Sequence, residues 1–272
     1  MRVDLSVLVV GGSGKTGRRV VQRLNDRGVS VRIGSPRSAP PFDWQKQETW
    51  YAALEGVDRV YIAHPDVTQA GASEQIRTFA RLATSSGARR LVLLSGRENP
   101  LLQSIEDAVT NSGADWTILR PGWFSQNFSE GFLLDAVLAG EIALPVGNGK
   151  EAFVDVDDIA EVAVAALLDG GHIGQTYNLS GPRLLSFADV AAELSYATGR
   201  TISYVPLDLA AFRVSLLEQG LPGSLADGYA EIEQGRNAFV ADDFERVTGR
   251  TATDFADFAK AAAATGVWNV SR

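Results

Sequence analysis

The chain of 272 residues contains no cysteine. Disulfides, thiolate nucleophiles, iron–sulfur clusters and zinc–thiolate sites are therefore excluded. Histidine is almost as scarce: His64 and His172 are the only two, too few for a site built from several imidazoles, and no metal is expected. No apolar run approaches the roughly 18 residues that a membrane-spanning helix needs; the apolar stretches are strand-sized, such as residues 7–10. No charged segment followed by a long apolar one stands at the N-terminus, so neither a secretory leader nor a membrane partner is expected, and the expected location is cytoplasmic. Positive charge is in deficit as well. With 25 Lys and Arg against 33 Asp and Glu, the formal net charge is −8 and no basic cluster offsets it. A phosphate backbone would be repelled, so nucleic acid is not an expected partner.

What remains is ordinary for a soluble globular protein: 45% hydrophobic and 21% charged residues. The order of elements is more informative. Val7-Leu8-Val9-Val10 is a run of β-formers that ends at a glycine cluster, and from Lys15 the apolar period lengthens to helical spacing through Val20, Val21 and Leu24. Further strands are predicted at 29–33, 57–63, 90–94 and 116–119, with helices at 48–54, 75–85 and 105–111 between them. Such alternation predicts an α/β fold, a doubly wound parallel sheet with right-handed crossovers. Beyond Pro121 the spacing predicts helices at 124–138 and 155–168, a turn near Gly147-Asn148-Gly149 and a strand at 176–179. Helices at 187–198, 207–219, 230–235 and 255–265 and a strand at 202–205 complete the reading.

The segment Gly11-Gly12-Ser13-Gly14-Lys15-Thr16-Gly17 lies between a predicted strand and a predicted helix, with glycines spaced G-x-x-G-x-x-G. That context suits a dinucleotide pyrophosphate. The glycines allow a tight turn, backbone approach to the phosphates and close helix–sheet packing, and the helix N-terminus attracts the anion. Gly11, Ser13, Gly14, Lys15, Thr16 and Gly17 are the candidate cofactor-binding residues here. The spacing is not that of a P-loop. About 20 residues on, where an acid would hold the ribose of NAD, the chain reads Ile33-Gly34-Ser35-Pro36-Arg37-Ser38, with no acid before Asp43. Arg37 and Ser35 suit a 2′-phosphate instead, so NADP(H) is expected over NAD(H).

These residues combine with others along the chain. Asp43-Trp44, Tyr61-Ile62-Ala63-His64-Pro65, Arg120-Pro121-Gly122-Trp123-Phe124-Ser125-Gln126-Asn127-Phe128, Val154-Asp155-Val156-Asp157-Asp158 and Tyr177-Asn178-Leu179-Ser180-Gly181-Pro182 all contribute. Together with the glycine turn, this pattern resembles the NmrA-like, atypical short-chain dehydrogenases/reductases over nearly the whole chain. It is most similar to the triphenylmethane-, quinone- and ergot-alkaloid-reducing types. The resemblance implies a Rossmann fold, NADP(H) and a small interwoven C-terminal substrate lobe. It divides the chain into a dinucleotide-binding domain at 1–182, with 123–150 contributing to the substrate pocket, and a lobe at 183–272. The relatives line nicotinamide and substrate after the Pro-Gly pair, which makes Trp123, Phe124, Asn127 and Phe128 candidate substrate-binding residues; packing of the lobe is the alternative use of their rings.

Typical short-chain dehydrogenases use Tyr-x-x-x-Lys, the lysine lowering the pKa of the tyrosine acid. None of the six tyrosines here has lysine four residues on. An acceptor that asks for little enzymatic protonation fits better: a quinone, an imine or iminium, an enone or a cationic conjugate. Ser95, closing a predicted strand, is either a catalytic hydrogen-bonding group or a turn serine. His64 before Pro65 stands at a strand end, with Pro65 a candidate cofactor wall and His64 either catalytic or structural. Asp155, Asp157 and Asp158 open a predicted helix and read as caps rather than metal ligands. The expected function is an NAD(P)H-dependent reductase, monomer or homodimer, acting on a small aromatic or conjugated molecule. Two alternatives share the fold: a regulatory protein that reads the dinucleotide without turnover, and a non-redox biosynthetic enzyme.

Overall fold

Val7, Leu8, Val9 and Val10 are all fully buried, the mark of a parallel strand covered on both faces. They lie in β1 (Ser6–Val10) of a computed structural model that describes residues 5–67, 69–97 and 102–270. The other strands among these residues are β2 (Ser30–Gly34), β3 (Arg59–Ile62), β4 (Arg90–Leu94), β5 (Asp115–Pro121), β6 (Glu141–Leu144), β7 (Lys150–Glu151), β8 (Gln175–Leu179), β9 (Leu185–Ser186) and β10 (Ser203–Pro206). The helices begin with α1 (Lys15–Asp26), α2 (Trp50–Leu54), α3 (Ala72–Ser85), α4 (Gln103–Thr110), α5 (Asn127–Glu130) and α6 (Leu134–Ala139). They continue with α7 (Val156–Leu168), α8 (Phe187–Thr198), α9 (Leu209–Glu218), α10 (Asp227–Glu233), α11 (Asp243–Thr248) and α12 (Phe255–Ala264).

Six strands form one all-parallel sheet in the order β2-β1-β3-β4-β5-β8. The chain leaves β1 for one edge and returns to its other side at β3, so the order reverses there. In open α/β sheets ligands bind at such a reversal, outside the carboxyl ends of the strands. Alternate side chains face opposite layers. Leu8, Val10, Val60, Ile62, Leu91, Leu93 and Ile118 join Ile76, Phe79 and Ala83 of α3 and Ile105 and Val109 of α4 in one core, beside Phe42, Trp44 and Trp50. Helices α1 and α7 pack together; Arg19 and Arg23 of α1 donate to Asp157 of α7 at 2.7 and 3.3 Å. The carboxyl end of α7 is held by guanidinium groups from the sheet. Arg59 donates to the carbonyl of Leu167, and Arg90 to those of Ala166 and Asp169, which satisfies carbonyls that a helix end leaves unpaired.

The chain groups into two compact units. The first comprises residues 1–121, 156–179 and 243–250, the second 122–155, 180–242 and 251–272. The second unit has a core rich in phenylalanine: Phe128, Phe153, Phe187, Phe255 and Phe258 with Trp268. Its strands pair as β6 with β10, parallel, and β7 with β9, antiparallel. Helix α8 opens with a capping box between Ser186 and Asp189, a recognised start signal. The single helix expected over 124–138 is instead two short ones, α5 and α6, because Gly131 takes an extended conformation (φ −125°, ψ −167°) between them. The turn expected near Gly147-Asn148-Gly149 is present, preceded by strand β6, which the sequence reading did not assign. Among the described residues no helix is long and apolar enough to cross a membrane.

One backbone contact has a direct test. A Cβ at Gly17 would lie 2.1 Å from the carbonyl oxygen of Gly11, whereas one at Gly170 would meet nothing within 4 Å. Gly17→Ala is expected to cost about 1–3 kcal/mol through overpacking and Gly170→Ala less than about 0.5 kcal/mol, read as shifts in denaturant midpoint.

Candidate functional site

The turn after β1 lies at the reversal point of the sheet. Gly11 has φ +73°, a conformation that glycine adopts without strain, and its amide donates to Gly34 O at 2.9 Å. A Cβ on Gly11 would stand 3.1 Å from Ala63, just past β3. Helix α1 starts at Gly14 with no capping side chain and no acid in its first turn. First-turn amides thus meet no competing carboxylate, as a phosphate site requires. Ser13 and Gly14 are exposed and Lys15 is half-buried, whereas Thr16 is buried and accepts a hydrogen bond from the Tyr61 hydroxyl at 3.1 Å. Burial pushes the Tyr61 phenol well above its ordinary pKa, so it stays protonated and serves as a strut under the turn.

A groove of about 610 Å³ runs along the outer strand β2, lined by Ser13, Arg32, Ser35, Arg37 and Ser38 among others, none of them acidic. Arg32 is committed: it donates to the carbonyls of Ala53 and Glu55 at 2.8 and 2.7 Å. Arg37 is solvent-exposed, and among the described residues it has no ion-pair partner. Ser35 is buried, and its backbone is fixed by Ser38, whose hydroxyl accepts from Ser35 N at 3.1 Å and donates to Ser35 O at 2.7 Å. The glycine cradle, the uncapped helix start, the acid-free groove and the unpaired guanidinium together fit a phosphorylated dinucleotide.

Two further candidates stand at strand ends. His64 follows β3, with both ring nitrogens engaged. Nδ1 accepts from Asp66 N at 3.2 Å, and Nε2 is 3.0 Å from Gln75 Oε1, which makes Nε2 the donor. Its ring lies 4.9 Å from that of Trp44. As it stands, neither nitrogen is open to a substrate proton, and the imidazole braces the loop that carries the exposed Pro65. Ser95 follows β4 and is buried, donating to Glu106 Oε1 at 2.8 Å. Glu106, on α4, also receives Arg120 of β5 through both carboxylate oxygens, with Nε to Oε1 at 2.8 Å. With its proton committed to Glu106, the Ser95 oxygen is left as an acceptor rather than a donor.

In the second unit, the segment after Pro121 is pinned by Val154. Trp123 O accepts from Val154 N at 2.9 Å, and Ser125 N donates to Val154 O at 2.9 Å. Trp123, Phe124 and Asn127 are half-buried. Phe128 is fully buried among Phe153, Phe187 and Phe255, and its carbonyl accepts from Trp268 Nε1 at 2.8 Å. The Trp123 ring instead meets Phe132, Phe187 and Tyr229 at 5.7, 5.7 and 6.1 Å. The helix-opening aspartates serve separate partners. Asp155 accepts from Gln126 at 2.8 Å, Asp157 binds Arg19 and Arg23, and Asp158 binds Arg250 at 2.8 Å.

The chain is 36% identical over 295 residues to the NAD(P)H azoreductase of Xenophilus azovorans, a match covering 95% of this chain and 98% of that one. It belongs to the NmrA-like atypical short-chain dehydrogenases/reductases. Agroclavine dehydrogenase of Claviceps fusiformis, another relative, is 32% identical over 279 residues, covering 93% of this chain and 96% of its own. Among solved structures, the NADPH-dependent quinone oxidoreductase of Escherichia coli complexed with NADPH has a TM-score of 0.78 at 23% identity, covering 94% of this chain and 99% of that one. The Citrobacter sp. triphenylmethane reductase complexed with NADP(H) has a TM-score of 0.74 at 22% identity, covering 95% and 100%. No family model matches the chain. This NmrA-like reductase fold thus carries the doubly wound parallel sheet that the sequence predicts.

The sequence assigns Glu106, Arg120, Phe132 and Tyr229 no place in the site, although Arg120 lies in the motif before Pro121. A signal existed for Glu106, a carboxylate on the apolar face of α4 beside the buried Ile105 and Val109; the others depend on distant partners. Glu106→Ala, which strands a guanidinium and a buried hydroxyl, is expected to cost about 3 kcal/mol or more. Ser95→Ala removes one neutral donor and should cost about 1 kcal/mol. Urea melts of the two variants check the order.

Proposed function

We propose that this protein is an NADPH-dependent reductase that delivers hydride to a small conjugated or aromatic acceptor, of the quinone, imine or iminium, azo or enone kind, without a Tyr-x-x-x-Lys pair. The observation that carries the reading is the acid-free groove along β2, with a glycine turn at one end and the unpaired Arg37 in its lining. When bound, the reduced nicotinamide supplies the hydride. The protein then chiefly has to hold the two reactants in line and keep water out. The Gly11–Gly17 turn binds the pyrophosphate through backbone amides. Arg37, helped by Ser13 and Ser35, binds the ribose 2′-phosphate, a charge-assisted contact that NADH cannot make. Ser95, oriented by Glu106, offers an acceptor oxygen at the carboxyl end of β4, and Pro65 forms a wall braced by His64. In the second unit, which acts as the substrate lobe, Trp123, Phe124 and Asn127 bind the acceptor and Phe128 anchors the segment from the core. Relatives named for azo compounds, a clavine, triphenylmethane dyes and quinones support an acceptor of extended conjugation.

Loss of absorbance at the reduced-nicotinamide band, followed across azo dyes, quinones, iminium ions and enones, tests the activity. Consumption of NADPH with at least one class is expected; tight binding of both redox states with no consumption would favour a dinucleotide-reading regulator. For the cofactor, fluorescence titration should show NADPH bound more tightly than NADH. Arg37→Ala should weaken NADPH by about 1.5–3 kcal/mol and leave NADH nearly unchanged.

A further inference from the structure

The chain has six tyrosines, and five are accounted for. Tyr61 donates to Thr16 at 3.1 Å. Tyr177 shares a hydrogen bond of 2.8 Å with His172. Tyr204 reaches the carbonyls of Leu144 and Gly147 at 3.2 and 2.9 Å. Tyr51 and Tyr196 are 68% and 80% exposed, and their hydroxyls stand in water. Tyr229, on α10, differs from all of these: it is half-buried, yet its hydroxyl has no partner among the described residues. A phenol that gives up part of its hydration normally gains a hydrogen bond in exchange.

Its surroundings define what could restore that bond. The Tyr229 ring stands 5.6 Å from Phe212, edge to face, and 6.1 Å from Trp123. Trp123 in turn meets Phe132 edge-on at 5.7 Å, and Phe132 is 60% exposed. Four rings from four separate segments therefore form a ledge that is open at Phe132 and whose polar atoms are the Tyr229 hydroxyl and the Trp123 indole N–H. Aromatic surface of this kind takes another flat ring with its edge or offset face, and a hydroxyl donor at its margin selects where that ring's acceptor atom lies. Burial also holds the phenol above its ordinary pKa, so at neutral pH it is a donor and not a phenolate.

We infer that Tyr229 is a specificity-determining hydrogen-bond donor for the acceptor. A flat conjugated molecule lies against Trp123 and Phe132 with a carbonyl oxygen or imine-type nitrogen on the Tyr229 hydroxyl. This rests on the proposed reductase function and names the acceptors it favours, those with a neutral hydrogen-bond-accepting heteroatom. Tyr229 keeps its proton. Reduction adds one hydride from NADPH and one proton from solvent to the acceptor, leaving the oxidised cofactor.

Tyr229→Phe removes one oxygen and keeps the ring. Kinetics with 1,4-naphthoquinone and with crystal violet, a cationic dye without a carbonyl, separate the contributions. KM for the quinone should rise about tenfold, equivalent to about 1.4 kcal/mol, with kcat changed less than twofold and both constants for the dye unchanged. Binding of 1,4-naphthoquinone to the protein saturated with NADP⁺, read by tryptophan fluorescence, should weaken by the same factor without any turnover. Unchanged quinone binding in Tyr229→Phe, or an equal loss for quinone and dye, would overturn the inference while leaving the reductase reading intact. Should neither protein consume NADPH with any acceptor, the reductase reading fails, and the tenfold difference in quinone binding alone decides for or against Tyr229.

Discussion

No side chain fits where the first turn of α1 passes the Gly11 carbonyl, and much of the molecule follows from that contact. Because Gly17 has no Cβ, the helix can start at the reversal point of the sheet, and a helix N-terminus at such a point suits an anion. The buried Tyr61 hydroxyl supports the turn from β3 through Thr16. The helix itself is fixed to α7 by Arg19 and Arg23 on Asp157. An anion site made of backbone is rigid only if that backbone is held from behind, and here the sheet and a neighbouring helix both hold it.

Guanidinium groups recur at the joints. Arg59 and Arg90 secure the end of α7, Arg120 grips Glu106, and Arg250 pairs with Asp158 and Glu161. The planar fork suits carbonyl and carboxylate geometry and remains charged when partly buried. In an acidic chain this use of arginine places cations at defined positions instead of in a diffuse basic surface. Arg37 stands apart from the others because its fork is open. The same chemistry that knits the first unit is thus left uncommitted at a single point of the groove.

The sheet was legible in the sequence because buried parallel strands are written as short unbroken apolar runs. The strand predicted at 90–94 coincides with β4, and 7–10 falls inside β1. The glycine turn was legible for a similar reason: positive φ and close backbone approach are local demands that only glycine meets. Less could be read after Pro121. One glycine in extended conformation divides a stretch of helical periodicity into α5 and α6, and two-residue strands such as β7 and β9 leave no periodic trace. The Ser95–Glu106–Arg120 cluster joins three elements through tertiary hydrogen bonds that no spacing encodes. Aromatic residues were legible as apolar but not by destination. Phe128 became core while Trp123, five positions earlier, kept part of its ring uncovered; apolar periodicity carries no distinction between the two.

The route of the chain has a bearing on its biosynthesis. Asp243 on α11 accepts from the Asn178 amide of β8 at 2.6 Å, and α11 packs on α7 and β8. The first unit therefore lacks a part of its structure until residue 250 has been made. A nascent chain can assemble β1 to β5 early, but the edge of β5 stays uncovered until β8 follows more than fifty residues later, and α11 comes more than sixty residues after that. At elongation rates of about 5–20 residues per second, each of these intervals lasts roughly 3–13 s, so the sheet is built in stages, with β5 as its temporary edge strand.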